Sequence, residues 1–592
     1  MLDPRIYRTG MILVALAVIV LAFSFSDQQG AAGTSLAPDA FNGQNAYSEM
    51  VSVAREDPVR RPGSDGDFAL AAQVASSFRQ DGFGVSTDTF KGTTVDGSKT
   101  LENVVGIRPG LSGSSIVIVA HRDSLNSPGT TDLSGTATLT ELARDLEGET
   151  LHRTVVLAST SGSAGTAGAI RLASTLGGPV DAVIALGDLA SRQVRGPVIV
   201  PWSSAQEVAP PMLRNTVAAA LSAQAAISPG GTSIFGQFVH LAFPLTLSEQ
   251  APFGARGIPA VLLSRSGERA PDNAPPRSSA QITAMGRTVL QTISALDGAP
   301  SVSTPSSYVL YSGKVVPGWA IRLFVLALIL PVLGATIDGL ARARRRGHSI
   351  LRWMLWVLAG ALPFVLGVLV VQAARLVDVL KIVPRAPVQA GAIPLGGVGL
   401  AVLAAVILVV AVGFGVLRPQ LIRLIGGQPR QSQRGGEPAS AGAAAAVLLV
   451  MCVVTLVIWA QNPFAAALLI PALHLWMWVV TPDVRLRPAV TVLLLLAGVA
   501  GPALVFVYYG DTLGLGPASL LWSATLQLAG GSFGLLTAVE WSVALGCLVG
   551  VVAIALRGAS TDRPEQVPVT VRGPVTYAGP GSLGGTESAL RR

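Results

Sequence analysis

The stretch Ile116-Val-Ile-Val-Ala-His121-Arg-Asp123-Ser, followed shortly by Asp132-Leu-Ser-Gly-Thr136, decides how this chain reads. A short, continuous apolar run bounded by polar residues is the pattern of a strand buried on both faces of a sheet. His121 and Asp123 then leave the strand at its carboxyl end, where open α/β sheets keep their chemistry. A helix is expected just after Asp132, with Ser134 near its start and Leu139, Leu142 and Leu146 on one face. Taken singly, each polar residue has an ordinary role: His121 as a strand-end histidine, Asp132 as a helix cap, Asp188 as a turn residue. Taken together, one histidine and several carboxylates at this spacing suit one lip of a metal site.

The flanks extend the pattern. Arg61-Pro-Gly-Ser64, Asp81-Gly-Phe83 and Glu102-Asn-Val104 lie upstream; Thr154-Val-Val-Leu157, Gly165-Thr-Ala-Gly168, Gly187-Asp188, Ser248-Glu249-Gln-Ala-Pro-Phe253 and Gly257-Ile-Pro-Ala260 lie downstream. In this order, over residues 45–295, the chain resembles the co-catalytic zinc exopeptidases of the bacterial leucyl aminopeptidase and glutamate carboxypeptidase type. The resemblance implies an α/β aminopeptidase-like (phosphorylase/hydrolase-like) fold. It also implies one retained zinc half-site, His121, Asp132 and Asp188, with Asp123 orienting His121 from behind.

The other half of that site is stripped. The position of the family's general base is Gly162, and the next ligand position is Ser163. The turn that carries the last family ligand reads Gly267-Glu-Arg-Ala-Pro-Asp272, without histidine. Glycine carries no proton, and loss of a general base costs about two to four powers of ten in rate. Ordinary aminopeptidase turnover is therefore not expected, and the cofactor is at most one zinc. His240 or Glu249 could stand in for a missing ligand, although a histidine in the apolar run Phe238-Val-His-Leu-Ala is ordinarily a core residue. Ser163 is not a serine nucleophile, because its frame is not G-x-S-x-G.

Composition places this domain in a membrane protein. Half of the 592 residues are hydrophobic and 13% are charged. Apolar runs long enough to cross a bilayer lie at 11–25, 319–337, 354–374, 395–417, 443–460, 464–480, 490–508 and 533–556. Arginines test this count. Arg342, Arg344, Arg345 and Arg346 follow the second run, Arg418, Arg423, Arg430 and Arg434 the fourth, Arg485 and Arg487 the sixth, and Arg557 and Arg563 the eighth. Every even run thus ends inside, both termini are cytoplasmic, and the large domain is extracytoplasmic. Lys381 and Arg385 are the exception on the outer side. The net charge of +8 is accounted for by this topology, which removes the reason to invoke nucleic acid as a partner.

The expected organisation is a signal anchor over 1–26, the α/β domain over 27–298, a linker over 299–317, a seven-span all-α bundle over 318–557 and a disordered cytoplasmic tail over 558–592. A cleaved signal peptide ending near Gly30-Ala-Ala-Gly33 is the alternative for the first segment. The apolar stretch 514–528 is too short to add a span and reads as re-entrant or interfacial. Cys452 and Cys547 both fall inside apolar runs, so the outer domain has no disulfide. Enrichment in Ala, Gly, Val and Arg, with lysine only at Lys91, Lys99, Lys314 and Lys381, suggests a GC-rich bacterial genome.

Within the bundle, Glu540 and His474 are ionisable residues at membrane depth, candidates for function and for pairing with each other. Three functional readings follow. The first is a degenerate peptidase-like domain acting in binding or assembly, with the bilayer and a peptide or protein outside as partners. The second is an active single-metal hydrolase. The third is a transporter or assembly factor with the outer domain as receptor.

Overall fold

The computed structural model describes every residue except 1–3, 35–37, 272–275, 277, 346–349, 381–383, 385–391, 425–439, 482–483, 485 and 561–592. Arg346, Lys381, Arg385, Arg430, Arg434, Arg485, Arg563, Asp272 and the expected tail beyond Ser560 therefore lie outside the described residues. In chain order the strands are β1 (Ser26–Asp27), β2 (Gly84–Thr94), β3 (Gly97–Arg108), β4 (Ser115–His121), β5 (Thr154–Thr160), β6 (Val180–Leu186), β7 (Ile199–Val200), β8 (Ala260–Leu263), β9 (Tyr308–Tyr311) and β10 (Lys314–Pro317).

Seven of them form one mixed sheet in the order β2-β3-β5-β4-β6-β8-β7. The central strands β5, β4, β6 and β8 are parallel, and antiparallel strands close both edges. The β4 run is buried on both faces, as its unbroken hydrophobicity requires. Ile116, Ile118 and Ala120 join the larger core, and Val117 and Val119 the smaller one opposite. Helix Ser134–Asp145 follows a 3-10 turn at Thr131–Leu133, with Leu139 and Leu142 fully buried and Leu146 nearly so. It lies between the sheet and the helices Gly43–Glu56 and Ala280–Asp297. Chain direction carries β4 first to β5 on one side and then over to β6 on the other, so the carboxyl end of β4 is the switch point of the sheet.

The stretch read as a linker is structured. Tyr308 to Pro317 is a hairpin whose two-residue turn has positive φ at both Ser312 (48°) and Gly313 (78°), the geometry that matches the twist of paired strands. Its second strand also pairs with β1, Ser26 opposite Val315 and Asp27 opposite Lys314. The two chain segments that enter and leave the domain are thus fastened side by side.

Among the described residues, eight helices are long and apolar enough to cross a membrane: Arg5–Phe23, Gly318–Arg345, Ile350–Leu376, Gly397–Leu424, Gly442–Gln461, Pro463–Val480, Pro488–Leu513 and Leu535–Leu556. These coincide with the eight apolar runs and are compatible with a multi-pass membrane protein. The fourth extends past its expected end through a π turn at Gly413–Leu417, so Arg418 and Arg423 sit on its last turns rather than after it. Long arginine stems tolerate this placement, and the Arg418 guanidinium lies 5.7 Å or less from a ring, 5.6 Å over Trp356. The stretch 514–528 forms the short helix Pro517–Gly530. It is held by Trp522 Nε1 donating to Ile393 O at 3.0 Å and by Gln372 Nε2 donating to Leu528 O at 2.8 Å.

Helices Ile350–Leu376 and Leu535–Leu556 cross where small residues meet. A Cβ on Gly546 would stand 2.7 Å from Ala361 N, and one on Gly360 3.2 Å from Gly546 O. Between apolar helices, such backbone approach supplies the packing that water cannot drive. Gly546→Leu is therefore expected to force the pair apart and lower the melting temperature of the detergent-purified chain by several degrees, whereas Leu545→Ala at an exposed neighbour leaves it within about a degree.

Candidate functional site

The carboxyl ends of the parallel strands carry a dense set of buried acids. Asp123 and Asp132 follow β4, Ser163 follows β5, Asp188 follows β6, and Ser264 to Ser266 follow β8. Asp123 is fully buried, Asp132 is 8% exposed and Asp188 4%. Behind them, fully buried Arg122 forms an ion pair with Asp67 at 2.8 Å and donates to the carbonyls of Ser159 and Glu102. Arg60, also fully buried, donates to the carbonyls of Asp57, Pro128 and Gly129, which shapes the loop before Asp132.

Each acid is satisfied by donors of this chain. Asp188 Oδ1 accepts from the amides of Ala190 at 3.0 Å and Ser191 at 2.8 Å, while its Oδ2 accepts from the hydroxyls of Ser191 and Ser266. Asp132 accepts from the Ser124 hydroxyl. Asp123 takes three bonds from one residue, two from the Ser163 amide at 3.1 Å and one from its hydroxyl at 2.8 Å. Asp123 is therefore engaged by Ser163, where the resemblance had it orienting His121.

His121 faces Glu249 instead, with Nδ1 3.7 Å from Oε2. The other Glu249 oxygen accepts from the Thr160 hydroxyl. Burial opposes charge on His121, but Glu249, Asp123 and Asp132 overcome it and raise the imidazole from its ordinary 6.5 to about 9. Burial raises the Asp123 carboxyl to about 6 against the opposing pull of His121. Burial also raises Asp132, with Ser124, His121 and Arg60 resisting and Asp188 adding to it.

Among the described residues, no three His, Cys, Asp or Glu side chains come together as a group that could hold a metal ion. His121, Asp132 and Asp188 share one end of the sheet without assembling into the ligand set the resemblance implies. The lone pairs a cation would need are taken at Asp188, whose two oxygens accept four bonds, and His121 faces Glu249, so the set as placed does not fit the zinc. Gly162 has φ 84°, and a Cβ there would lie 2.9 Å from Leu101 Cδ1 and 3.0 Å from Ala167 Cβ. The backbone has closed around the missing side chain.

The remaining candidates lie elsewhere. His240 is not a substitute ligand. Its ring stacks on Trp202 at 4.6 Å and faces the hydroxyls of Tyr508 and Tyr509, at the seam between the α/β domain and the bundle, and burial lowers it to about 3. Glu540 and His474 do not pair with each other. His474 bonds with Tyr7 Oη at 2.8 Å and Leu328 O at 3.0 Å, whereas Glu540 accepts from Gln461. Helix geometry explains this: His474 lies well along Pro463–Val480, and Glu540 near the start of its own helix. A cavity of about 390 Å³ at the seam is not lined by His121, Asp132 or Asp188. A smaller one of about 170 Å³ opens over Asp132 between Asn126 and Pro271.

The chain resembles solved structures over less than half its length, three bacterial proteins among them. A leucine aminopeptidase precursor from Bacteroides thetaiotaomicron is 16% identical, covers 43% of this chain and 97% of its own, and has a TM-score of 0.34. A glutaminyl cyclase from an Acidobacteriales bacterium is 18% identical, over 45% and 99%, with a TM-score of 0.36. A zinc aminopeptidase from Bacillus subtilis is 13% identical, over 45% and 98%, with a TM-score of 0.35. No protein-family model matches the chain, and no curated protein matches it.

The His121–Glu249 pair makes a signed prediction. A histidine raised from 6.5 to about 9 in the folded state contributes stability that is complete below pH 6.5 and lost as pH rises through about 9. Heating the full chain at pH 6.5, 8 and 9.5 should show a falling melting temperature, and Glu249→Gln should flatten that fall. Equal slopes in the two proteins would remove the pair from the pH response.

Proposed function

We propose that this chain is an integral membrane protein whose α/β domain is a peptidase-like module without turnover, placed outside the membrane and acting in binding or assembly. The observation that carries the reading is the hydroxyl and amide network on the acids: Ser163 on Asp123, Ser124 on Asp132, and Ser191 with Ser266 on Asp188. In metal-assisted hydrolysis a cation neutralises clustered carboxylates and polarises the substrate, and a base carries protons. Here serine donors hydrogen-bond the carboxylates, His121 and Arg60 bring positive charge to Asp132, and glycine stands at the base position. A domain built this way keeps a shaped, acid-lined end of the sheet for holding a partner.

The outward orientation is supported by the arginines that follow the even spans, including Arg342, Arg344 and Arg345 at the end of helix Gly318–Arg345. Cysteine placed at Ser86 should react with an impermeant maleimide in intact cells, and cysteine at Arg345 should react only after lysis. The reverse pattern would invert the topology.

Activity is tested on the purified full chain with aminoacyl-nitroanilides and short peptides, with and without added zinc. No turnover and no stoichiometric zinc are expected. Gly162→Glu with Ser163→Glu should restore nothing and should cost about 1 kcal/mol or more of stability, because position 162 holds a left-handed backbone against Leu101 and Ala167. Wild-type turnover that disappears in His121→Ala would overturn the proposal in favour of a working hydrolase.

A further inference from the structure

The cavity at the seam, about 390 Å³, has the α/β domain on one side and the ends of helices Gly442–Gln461 and Leu535–Leu556 on the other. Among the described residues its one ionisable group is Glu540, and no Lys, Arg or His lines it. Glu540 is only 6% exposed, yet a single oxygen is engaged, by the Gln461 amide, and among the described residues the other has no donor. A buried carboxylate without a compensating charge is costly and is normally answered by a cation or further donors. The wall beside it is aromatic: Phe243 packs on Trp541 at 5.4 Å and on Phe533 at 6.1 Å, with all three rings bordering the cavity. Ile458 and Leu245 continue the lining with apolar surface.

We infer that this cavity is a binding site for an ammonium group carried on an apolar tail. An ammonium satisfies the free oxygen of Glu540 as a hydrogen-bonded ion pair and gains from the faces of Trp541 and the phenylalanines. The aliphatic surface, at the ends of helices apolar enough to cross a membrane, suits the tail. An anionic head would meet a carboxylate and, among the described residues, no cation. The site goes beyond the function proposed above and requires neither inactivity of the peptidase-like end nor a given orientation, since none of His121, Asp132 and Asp188 lines it.

The test uses the full chain in neutral maltoside micelles, examined by native mass spectrometry with phosphatidylethanolamine, phosphatidylglycerol of the same acyl chains, and free ethanolamine. The expected result is a retained phosphatidylethanolamine adduct favoured about tenfold over phosphatidylglycerol. Glu540→Gln should abolish the preference by removing the charge, and Thr537→Trp should do so by filling the cavity with the carboxylate intact. Melting curves report whether each variant is folded, so a misfolded Glu540→Gln leaves Thr537→Trp to decide. Equal retention of the two lipids, or an undiminished preference in a folded variant, overturns the inference. Displacement of the lipid by ethanolamine at equal concentration would keep the ammonium subsite and overturn the tail, pointing to a soluble amine.

Discussion

Five carboxylates, Asp67, Asp123, Asp132, Asp188 and Glu249, are buried around the carboxyl ends of the parallel strands, and the domain can stand only if their charge is answered. Like charges held together in a low dielectric repel strongly and resist desolvation. Here the answer is local and internal. Arg122 pairs with Asp67, Arg60 and His121 bear on Asp132, and serine hydroxyls cover Asp123, Asp132 and Asp188. That arrangement explains the small residues nearby. Gly129 approaches both Ser124 and Asp132, with a Cβ there 2.2 Å from the Ser124 hydroxyl, so the loop could not close over the pair with a larger residue.

A second set of contacts ties this domain to the helices. Asn462 is the pivot: its side-chain oxygen caps helix Pro463–Ala467, and its amide nitrogen donates to the carbonyls of Leu241 at 2.9 Å and Ala242 at 3.0 Å. Tyr509 donates to Phe243 O, and Arg269 donates to the carbonyls of Thr512 and Asp511. Because Arg269 stands just beyond β8, the end of helix Pro488–Leu513 touches the same side of the domain that holds the acids. The domain is seated on the helices through hydrogen bonds to backbone and through the hydroxyls of Tyr508 and Tyr509, which meet the His240 ring, so the seam has a defined register.

Much of this was legible in the sequence, for identifiable reasons. The β4 run and helix Ser134–Asp145 announce themselves by local periodicity, and the eight apolar helices by length. The hairpin of β9 and β10 was missed: Ser312-Gly313 between Tyr308-Val-Leu-Tyr and Lys314-Val-Val is a turn signal, but the proline and serine around it read as a linker. The partners of the acids were not legible. Ser163 meets Asp123, Glu249 meets His121 and Ser266 meets Asp188 across long stretches of chain, and spacing along the sequence carries no signal for such pairs. Residues at ligand positions can therefore be read in order while the donors that occupy their lone pairs are not. His474 and Glu540 show the same limit, each satisfied by a neighbour that hydropathy does not reveal.

The pairing of β1 with β10 bears on how the chain is made. Ser26 and Val315 are roughly 290 residues apart in sequence and neighbours in space, so the whole domain is a loop tied at its neck. During synthesis β1 has no partner until residue 315 has emerged, by which time the rest of the large sheet is already available to fold. The neck then closes last, and it closes beside helix Gly318–Arg345, which packs along the first helix. Completion of the domain and arrival of the second long apolar helix become one event, which gives the growing chain a natural order: first helix, domain, closure of the neck, and then the remaining helices.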